Sequence, residues 1–329
     1  MAKTVLVTGG AGFIGSHFVD LLVESEYHVV VLDKLTYAGN QENLRTVLET
    51  GRAQLVEGDI CDNDLVGQLF KEHSFSGVLN FAAESHVDRS IEGPDIFIKT
   101  NIEGTFNLLR HAENYFSKSG NLDFRFLQVS TDEVFGELPF NKEKFSEKSS
   151  YSPNSPYSAS KASADHLARA WNHTYGLPVI VTNCSNNYGP RQFPEKLIPL
   201  MINNAIKGKS LPVYGAGKNV RDWIHVKDHC RGVLLAFECA EPGSTYCFGG
   251  NEEHSNIEIV KLICKQLDDL LPSASGSYVD QIQFVEDRKG HDLRYAIDDS
   301  RAVKELGFTR DFDFNTGLLD TIKWYLEKV

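Results

Sequence analysis

An α/β fold, with helices covering both faces of a parallel sheet and a smaller lobe after it, is predicted by three observations. Short β-branched runs alternate with longer amphipathic stretches from residue 3 to about 185. A glycine-rich turn joins the first run to the first amphipathic stretch. After Asn187 the alternation lapses into Gly and Pro punctuation at Gly189-Pro190, Gly208, Pro212, Gly215 and Gly217.

Taken in order, the strands are expected at Thr4–Thr8, His28–Leu32, Ala53–Glu57, Gly77–Phe81, Phe124–Ser130 and Pro178–Asn183. Each is a short apolar or β-branched run of the kind a sheet buried on both faces requires. Six such strands with helices between them predict a doubly wound Rossmann sheet. The stretch Asp222 to Glu238 reads again as a strand and a helix that return to this sheet. The expected division is therefore discontinuous: residues 1–186 with 222–241 form the cofactor domain, and 187–221 with 242–329 form the substrate lobe.

Composition narrows the function classes. The chain has 329 residues, 41% of them hydrophobic, enough to bury a full core, and a net charge of −12 that disfavours a nucleic-acid partner. No apolar run reaches the roughly 18 to 20 residues of a membrane span. The N-terminus runs directly into Lys3 to Thr8 without a signal-peptide pattern, so a cytoplasmic protein without a membrane partner is expected. The 6 cysteines are scattered without a CxxC pair and the 11 histidines without an HxxxH cluster, so reduced thiols and no metal are expected.

Three motifs carry chemistry. The first, Gly9-Gly10-Ala11-Gly12-Phe13-Ile14-Gly15, follows a strand and opens a helix. Its glycines allow a tight turn and close approach of a pyrophosphate, which the free N–H groups of the helix N-terminus favour. Asp33, ending the second strand about twenty residues on, suits an adenosine ribose hydroxyl and repels a 2′-phosphate, which predicts NAD rather than NADP. The second is Tyr157-Ser-Ala-Ser-Lys161. On a helix, i and i+4 share a face, so the Lys161 ammonium is expected beside the Tyr157 phenol, lowering its pKa and making it a base near neutral pH. The third is Ser130-Thr131-Asp132-Glu133, at the C-terminal end of a strand, where an open α/β sheet faces its ligand crevice. Two adjacent carboxylates there separate into an acid and a base.

The glycine turn with the Tyr/Lys pair resembles the extended short-chain dehydrogenase/reductase family. Thr131-Asp132-Glu133 resembles the triplet of its dTDP-glucose 4,6-dehydratases, where sugar epimerases have small hydroxyl residues. Further resemblance runs through Asp33-Lys34-Leu35-Thr36-Tyr37-Ala38-Gly39-Asn40, Ala82 to Ser90, Asn183 to Pro190, Phe193 to Pro199, Arg221-Asp222-Trp223 and Asp287 to Asp292. Phe135 stands where that family usually has Tyr and Lys289 where it has Pro, and Arg191 could alter the substrate entrance.

The resemblance implies conversion of dTDP-glucose to dTDP-4-keto-6-deoxyglucose and water with a retained NAD, in deoxysugar synthesis such as that of dTDP-rhamnose. It implies Tyr157 as base at the C4 hydroxyl with Thr131 and Lys161 supporting it, Glu133 as base at C5, and Asp132 as acid at C6. It places the cofactor against Gly9, Gly12, Phe13, Ile14, Gly15, Asp33, Lys34, Leu35, Thr36, Asp59, Ile60, Phe81, Ala82, Ala83, Ser85, Thr100, Tyr157 and Lys161. It places the nucleotide sugar against Ser85, Thr131, Asn186, Asn187, Lys196, Leu197, Val213, Tyr214, Arg221, Asn256, Arg288 and His291. A homodimer through helices around Asp95 to Tyr115 and Tyr157 to Tyr175 is implied as well. The alternatives are an epimerase or decarboxylase sharing the C4 oxidation, disfavoured by Asp132 and Glu133, and an NAD sensor, disfavoured by the intact Tyr157 and Lys161. His86, His225 and His291 are left out of the catalytic set, since the proton chemistry is already assigned.

Overall fold

Residues 3–273, 276–287 and 291–328 are described by a computed structural model. Among the described residues the strands are β1 Thr4–Thr8, β2 His28–Asp33, β3 Ala53–Glu57, β4 Phe75–Asn80, β5 Arg125–Thr131, β6 Val179–Cys184, β7 Asn186–Tyr188, β8 Leu211–Tyr214, β9 Val220–His225, β10 Thr245–Phe248, β11 Glu253–Ser255, β12 Ile282–Val285 and β13 Arg294–Tyr295. The helices are α1 Phe13–Glu24, α2 Arg45–Glu49, α3 Asn63–Glu72, α4 Val87–Glu92, α5 Asp95–Phe97, α6 Thr105–Ser119, α7 Pro156–Tyr175, α8 Leu197–Ile206, α9 Val226–Cys239, α10 Asn256–Leu270, α11 Ser300–Leu306 and α12 Phe314–Leu326.

A seven-stranded parallel sheet in the order β10-β6-β5-β4-β1-β2-β3 forms the larger body. Its strands read as continuous apolar runs because both faces are covered, and successive residues go to opposite cores. Val5, Val7, Val29 and Val31 pack with α1 and with Val226, Cys230, Val233 and Phe237 of α9. Leu6, Val30, Leu32, Val78 and Phe126 pack on the other face with α3, α6 and α7 through Leu69, Leu108, Leu109 and Ala168. Fully burying a side chain of this size contributes about 1.5–3 kcal/mol, so either face by itself makes a substantial core.

All six expected strands form, within two residues at each end, and two expectations about the remainder are corrected. The sheet has a seventh strand, β10, which pairs with β6 from Thr245↔Val181 to Phe248↔Cys184. Its four residues are too short to show a period of their own. The strand over 220–225 does not return to this sheet. It sits at the centre of a small sheet, pairing with β7, β11 and β13, and only α9 after it packs back on the main sheet. β7 follows β6 almost immediately, so the chain leaves the large sheet and enters the small one at the cavity edge.

The second lobe has its own core, in which Ile198, Met201, Ile202, Trp223, Ile259, Ile263, Phe314 and Leu318 bring α8, β9, α10 and α12 together. Among the described residues no helix is long and apolar enough to cross a membrane.

Candidate functional site

The C-terminal ends of β1, β2, β4, β5 and β6 open into a cavity of about 320 Å³, the expected ligand crevice of an open α/β sheet. One end is made by the glycine turn. Gly9 has φ +70°, and a Cβ on it would lie 2.7 Å from the Ala82 nitrogen. A Cβ on Gly15 would lie 2.2 Å from the Gly9 carbonyl oxygen, so the turn and the start of α1 can close only without side chains at these two positions.

Asp33 then receives the Ala11 N–H at 2.9 Å on Oδ2 and the Leu35 N–H at 2.8 Å on Oδ1. Each oxygen keeps a second lone pair for a ligand hydroxyl. Burial raises the Asp33 pKa against the pull of those two N–H groups. Phe13, Ile14, Lys34, Thr36, Asp59, Ile60, Phe81, Ala82, Ala83, Ser85 and Thr100 line the same end, and Lys34 pairs with Asp59 at 2.8 Å. The glycine cradle, the helix N-terminus and an anionic ribose partner together fit a dinucleotide.

Thr100 is presented by a π-helix over Ile98–Gly104, a geometry frequent at functional sites. Its neighbour Asn101 accepts the Glu84 N–H at 2.9 Å and donates to the Glu84 carbonyl at 3.0 Å and the Ser160 hydroxyl at 2.8 Å. The wall at 82–85 is thereby tied to α7. Leu35, also expected at the cofactor, has φ +51° and packs against the main core rather than lining the cavity.

At the other end, β5 ends on Thr131, and Asp132–Phe135 turn in a 3₁₀ helix whose N-cap is the Thr131 hydroxyl, accepting from the Glu133 N–H at 3.3 Å. Asn183 on β6 donates to the Thr131 carbonyl at 3.1 Å, fixing where the triplet projects. Across the cavity α7 begins with a capping box between Ser155 and Ser158 and Pro156 in its first turn. This start puts Tyr157 and Lys161 one turn apart on the face that, with Thr131, Asp132 and Glu133, walls the cavity.

Electrostatics separates these groups. Asp132 is 1% exposed, its Oδ2 has no hydrogen-bond partner among the described residues, and its pKa is driven well above the carboxylate range by burial, then by Glu133 and Asp222. Burial and the two neighbouring carboxylates thus favour its neutral form.

The expectation for Tyr157 has the opposite sign in this structure. Burial, then Glu133 and Cys184, push the phenol well above its ordinary range, and the Thr131 hydrogen bond pulls it down only in part. Lys161, whose own pKa is lowered by burial, donates to the Val129 carbonyl at 2.7 Å rather than to the phenol. Proximity along a helix does not decide the sign when burial and a carboxylate from the turn after β5 oppose it.

Of the residues expected at the sugar nucleotide, Ser85, Thr131, Asn186, Asn187 and Lys196 line the cavity. Asn187 spends its amide on the Ser185 carbonyl at 3.1 Å and its oxygen on His229 at 2.9 Å. Leu197, Val213, Tyr214, Arg221, Asn256 and His291 are not among the lining residues. Val213 is buried in the lobe core, Leu197 packs on it, and Asn256 begins α10. Tyr214 is exposed, edge-on to His291, whose ring bonds Asp287 at 2.7 Å. Arg221 lies over the Tyr295 ring at 4.4 Å and donates to the carbonyls of Val220 at 2.8 Å and Asp292 at 3.0 Å. Arg288 and Lys289 lie outside the described residues.

Arg191 does not reach the entrance; it pairs with Asp20 of α1 at 2.7 Å. Phe135 is buried, stacked on Phe145 at 5.2 Å and edge-on to Tyr151 at 5.2 Å. His225 is buried against Phe312 at 3.8 Å, and burial lowers its pKa to about 3, so it is neutral and structural.

Sequence reasoning missed the layer behind the triplet. Asp165 accepts from Ser130 at 2.7 Å and Tyr151 at 2.9 Å, and Arg169 donates to the Tyr151 oxygen at 2.7 Å. A signal existed: Asp165 follows Lys161 by one further turn on the same face. Gln192, Phe193 and Glu195 also line the cavity. Phe193 and Glu195 lie in a run already notable by resemblance but given no role.

The model of the GDP-mannose 4,6 dehydratase family matches residues 6–321. The chain is 51% identical over 337 residues to a dTDP-glucose 4,6-dehydratase of Escherichia coli, covering 98% of this chain and 93% of that one. To that of Xanthomonas campestris pv. campestris strain B100 it is 53% identical over 327 residues, with 98% and 93% covered. The solved dTDP-glucose 4,6-dehydratase of Streptomyces venezuelae, with NAD bound, superposes with a TM-score of 0.90 at 45% identity, covering 99% of this chain and 97% of that one. A UDP-glucose 4-epimerase of Thermotoga maritima superposes with 0.89 at 29% identity, covering 99% of each chain. Backbone similarity alone therefore does not separate these two reactions.

Proposed function

The chain belongs to the GDP-mannose 4,6 dehydratase family and, within it, to the dTDP-glucose 4,6-dehydratases, and from that membership we propose how its own residues divide the work. The overall reaction is the NAD-dependent conversion of dTDP-glucose to dTDP-4-keto-6-deoxyglucose and water. The observation that carries the assignment of roles is the Thr131-Asp132-Glu133 turn facing Tyr157 and Lys161 across one cavity.

NAD, when bound, supplies the redox chemistry: hydride leaves C4 of the sugar and is returned at C6. Tyr157, which has to ionise against its burial and against Glu133, takes the C4 hydroxyl proton while Thr131 hydrogen-bonds that oxygen, and Lys161 on the same helix face favours the phenolate once it forms. Once C4 is a carbonyl, the hydrogen on C5 is acidic and Glu133 removes it. Asp132, neutral through its burial, gives its proton to the C6 hydroxyl, which leaves as water. Glu133 then returns its proton to C5 as C6 is reduced. The proton gained by Tyr157 replaces, through solvent, the one Asp132 gave, so each turnover closes.

An epimerase needs no acid at C6, which favours dehydration over epimerisation on the same fold. Incubation with dTDP-glucose and, separately, UDP-glucose, without added reductant, tests the reading by mass spectrometry. Loss of one water from dTDP-glucose is expected; an unchanged mass, or an epimer of the same mass, would overturn it.

The remaining assignments rest on the same membership. Arg221, Lys196, Asn186, Asn187, Asn256, Tyr214 and His291 hold the nucleotide diphosphate and sugar, with Leu197 and Val213 shaping that side. The expected division of 1–186 with 222–241 against 187–221 with 242–329 is redrawn so that α9 and β10 go with the cofactor domain and β7 and β9 with the substrate lobe, a reading supported by the strand pairing. The active form is a cytoplasmic homodimer joined through α6 and α7, a reading supported by Phe106 and Tyr175, which are 41% and 56% exposed and flank Trp171. The product supplies a deoxysugar route such as that to dTDP-rhamnose.

A further inference from the structure

We propose that Tyr37, Arg89 and Glu195 form a latch that joins the cofactor loop to the substrate segment and holds NAD in place between oxidation at C4 and reduction at C6. This positioning role rests on the dehydratase reading above.

Two segments that wall the cavity, the loop at 36–39 and the stretch 192–196, meet at this point with α4, which follows the wall at 82–85. The Tyr37 ring lies 3.6 Å beneath the Arg89 guanidinium and edge-on to Phe193 at 5.3 Å. Its hydroxyl donates to Glu195 Oε1 at 3.2 Å, and the other oxygen of Glu195 pairs with Arg89 at 3.3 Å, with His86 at 4.0 Å. Both oxygens of one carboxylate are thus shared between a loop after β2 and the helix α4. Glu195 itself belongs to neither: it precedes α8 in the second lobe.

The loop and the lobe segment are each tied to the walls of the cavity. The Tyr37 loop bends around Asp33 so closely that a Cβ on Gly39 would lie 2.8 Å from its Oδ1. The Asn40 N–H and the Asn43 amide both donate to the Ala11 carbonyl, each at 3.0 Å, anchoring the loop on the glycine turn. Beside the latch, Lys196 donates to the Ser85 carbonyl at 2.9 Å, a second tie between the same two walls.

The reaction gives such a closure a purpose. Hydride removed from C4 must return to the same sugar at C6, so a cofactor that leaves between the two steps strands an unsaturated 4-keto sugar. An enzyme that exchanges cofactor every cycle has no use for a strap across its binding loop.

The test is the rate at which NAD leaves the loaded protein, followed by rapid filtration for wild type, Tyr37→Phe, Arg89→Ala and Glu195→Gln, with a melting temperature for each. We expect about tenfold faster release from Arg89→Ala and Glu195→Gln, the scale of a lost charged hydrogen bond, and a smaller increase from Tyr37→Phe. Melting temperatures measured without NAD should be unchanged, and turnover by these variants should come to depend on added NAD. Should Arg89→Ala not fold, Arg89→Lys removes the flat stack on Tyr37 and keeps the charge. Release at the wild-type rate, or release that rises only in step with a falling melting temperature, overturns the latch. Wild-type dehydration of dTDP-glucose is the control: its failure sinks the dehydratase reading, whereas an active wild type with unaltered release in the variants sinks the latch alone.

Discussion

The two sides of the cavity are built differently. On the sheet side, Thr131, Asp132, Glu133, Tyr157 and Lys161 stand at a strand end and a helix start that the main sheet holds in place, and four of the five are buried. On the lobe side Lys196 lines the cavity, whereas Arg221, Asn256 and His291, proposed above as substrate contacts, come from separate elements outside that lining, and Arg221 is engaged with the protein's own carbonyls. The proposed division of roles therefore puts proton transfer on the side held by the main sheet, where it needs fixed distances, and binding on the side whose groups can exchange internal partners for ligand ones.

The largest effect should come from the rigid side. Tyr157→Phe is expected to lower turnover about 10³-fold or more and to leave no reduced-nicotinamide absorbance on mixing with substrate; a normal burst would assign the first proton to another base. Glu133→Gln should lower dehydration about 10²-fold while that absorbance still rises, because C4 oxidation precedes the step it blocks. Full turnover by this variant would remove Glu133 from the mechanism.

On the lobe side, Arg221→Lys should raise KM about tenfold, roughly one charged hydrogen bond, with kcat nearly unchanged. An equal loss in kcat would mean that the lobe, too, is tuned to the transition state, and the contrast between the two sides would fail.

A smaller effect tests the cost of the buried acid. The Asp132 pKa is raised by folding, so its contribution to stability is fully present below the unfolded carboxylate pKa of about 3.9 and is lost as pH rises toward the folded value. Asp132→Asn should therefore be inactive yet about 1 kcal/mol more stable than wild type at alkaline pH, with the gain vanishing in acid. Thermal melts across pH measure this, and a variant destabilised throughout would contradict it. The smallest effect is expected from Arg191→Ala, which loses a partly exposed pair with Asp20 at a cost of about 0–1 kcal/mol and leaves KM unchanged.

Much of the sheet side was legible because its signals are local. β-branched runs of strand length, glycines whose missing Cβ lets a turn close, and a Tyr and Lys four residues apart each state their geometry within a few positions. The lobe was harder. β10 has four residues, β7 and β11 three each, and their pairing partners lie far along the chain, so no period in the sequence distinguishes which sheet they join. That is why the strand over 220–225 was expected in the main sheet while Thr245–Phe248 was overlooked.

The sequence by itself determined the doubly wound core, the dinucleotide turn with Asp33, and the identity of the five residues facing one another across the cavity, since each depends on spacing and side-chain type. Only the tertiary structure decided the charge state those residues meet. Burial, then Glu133 from the turn after β5 and Cys184 from β6, act on Tyr157 and reverse the effect expected of Lys161, and Glu195 reaches Tyr37 and Arg89 across both lobes. Burial and Coulomb fields sum over neighbours in space, and those neighbours come from segments the chain brings together only when it folds.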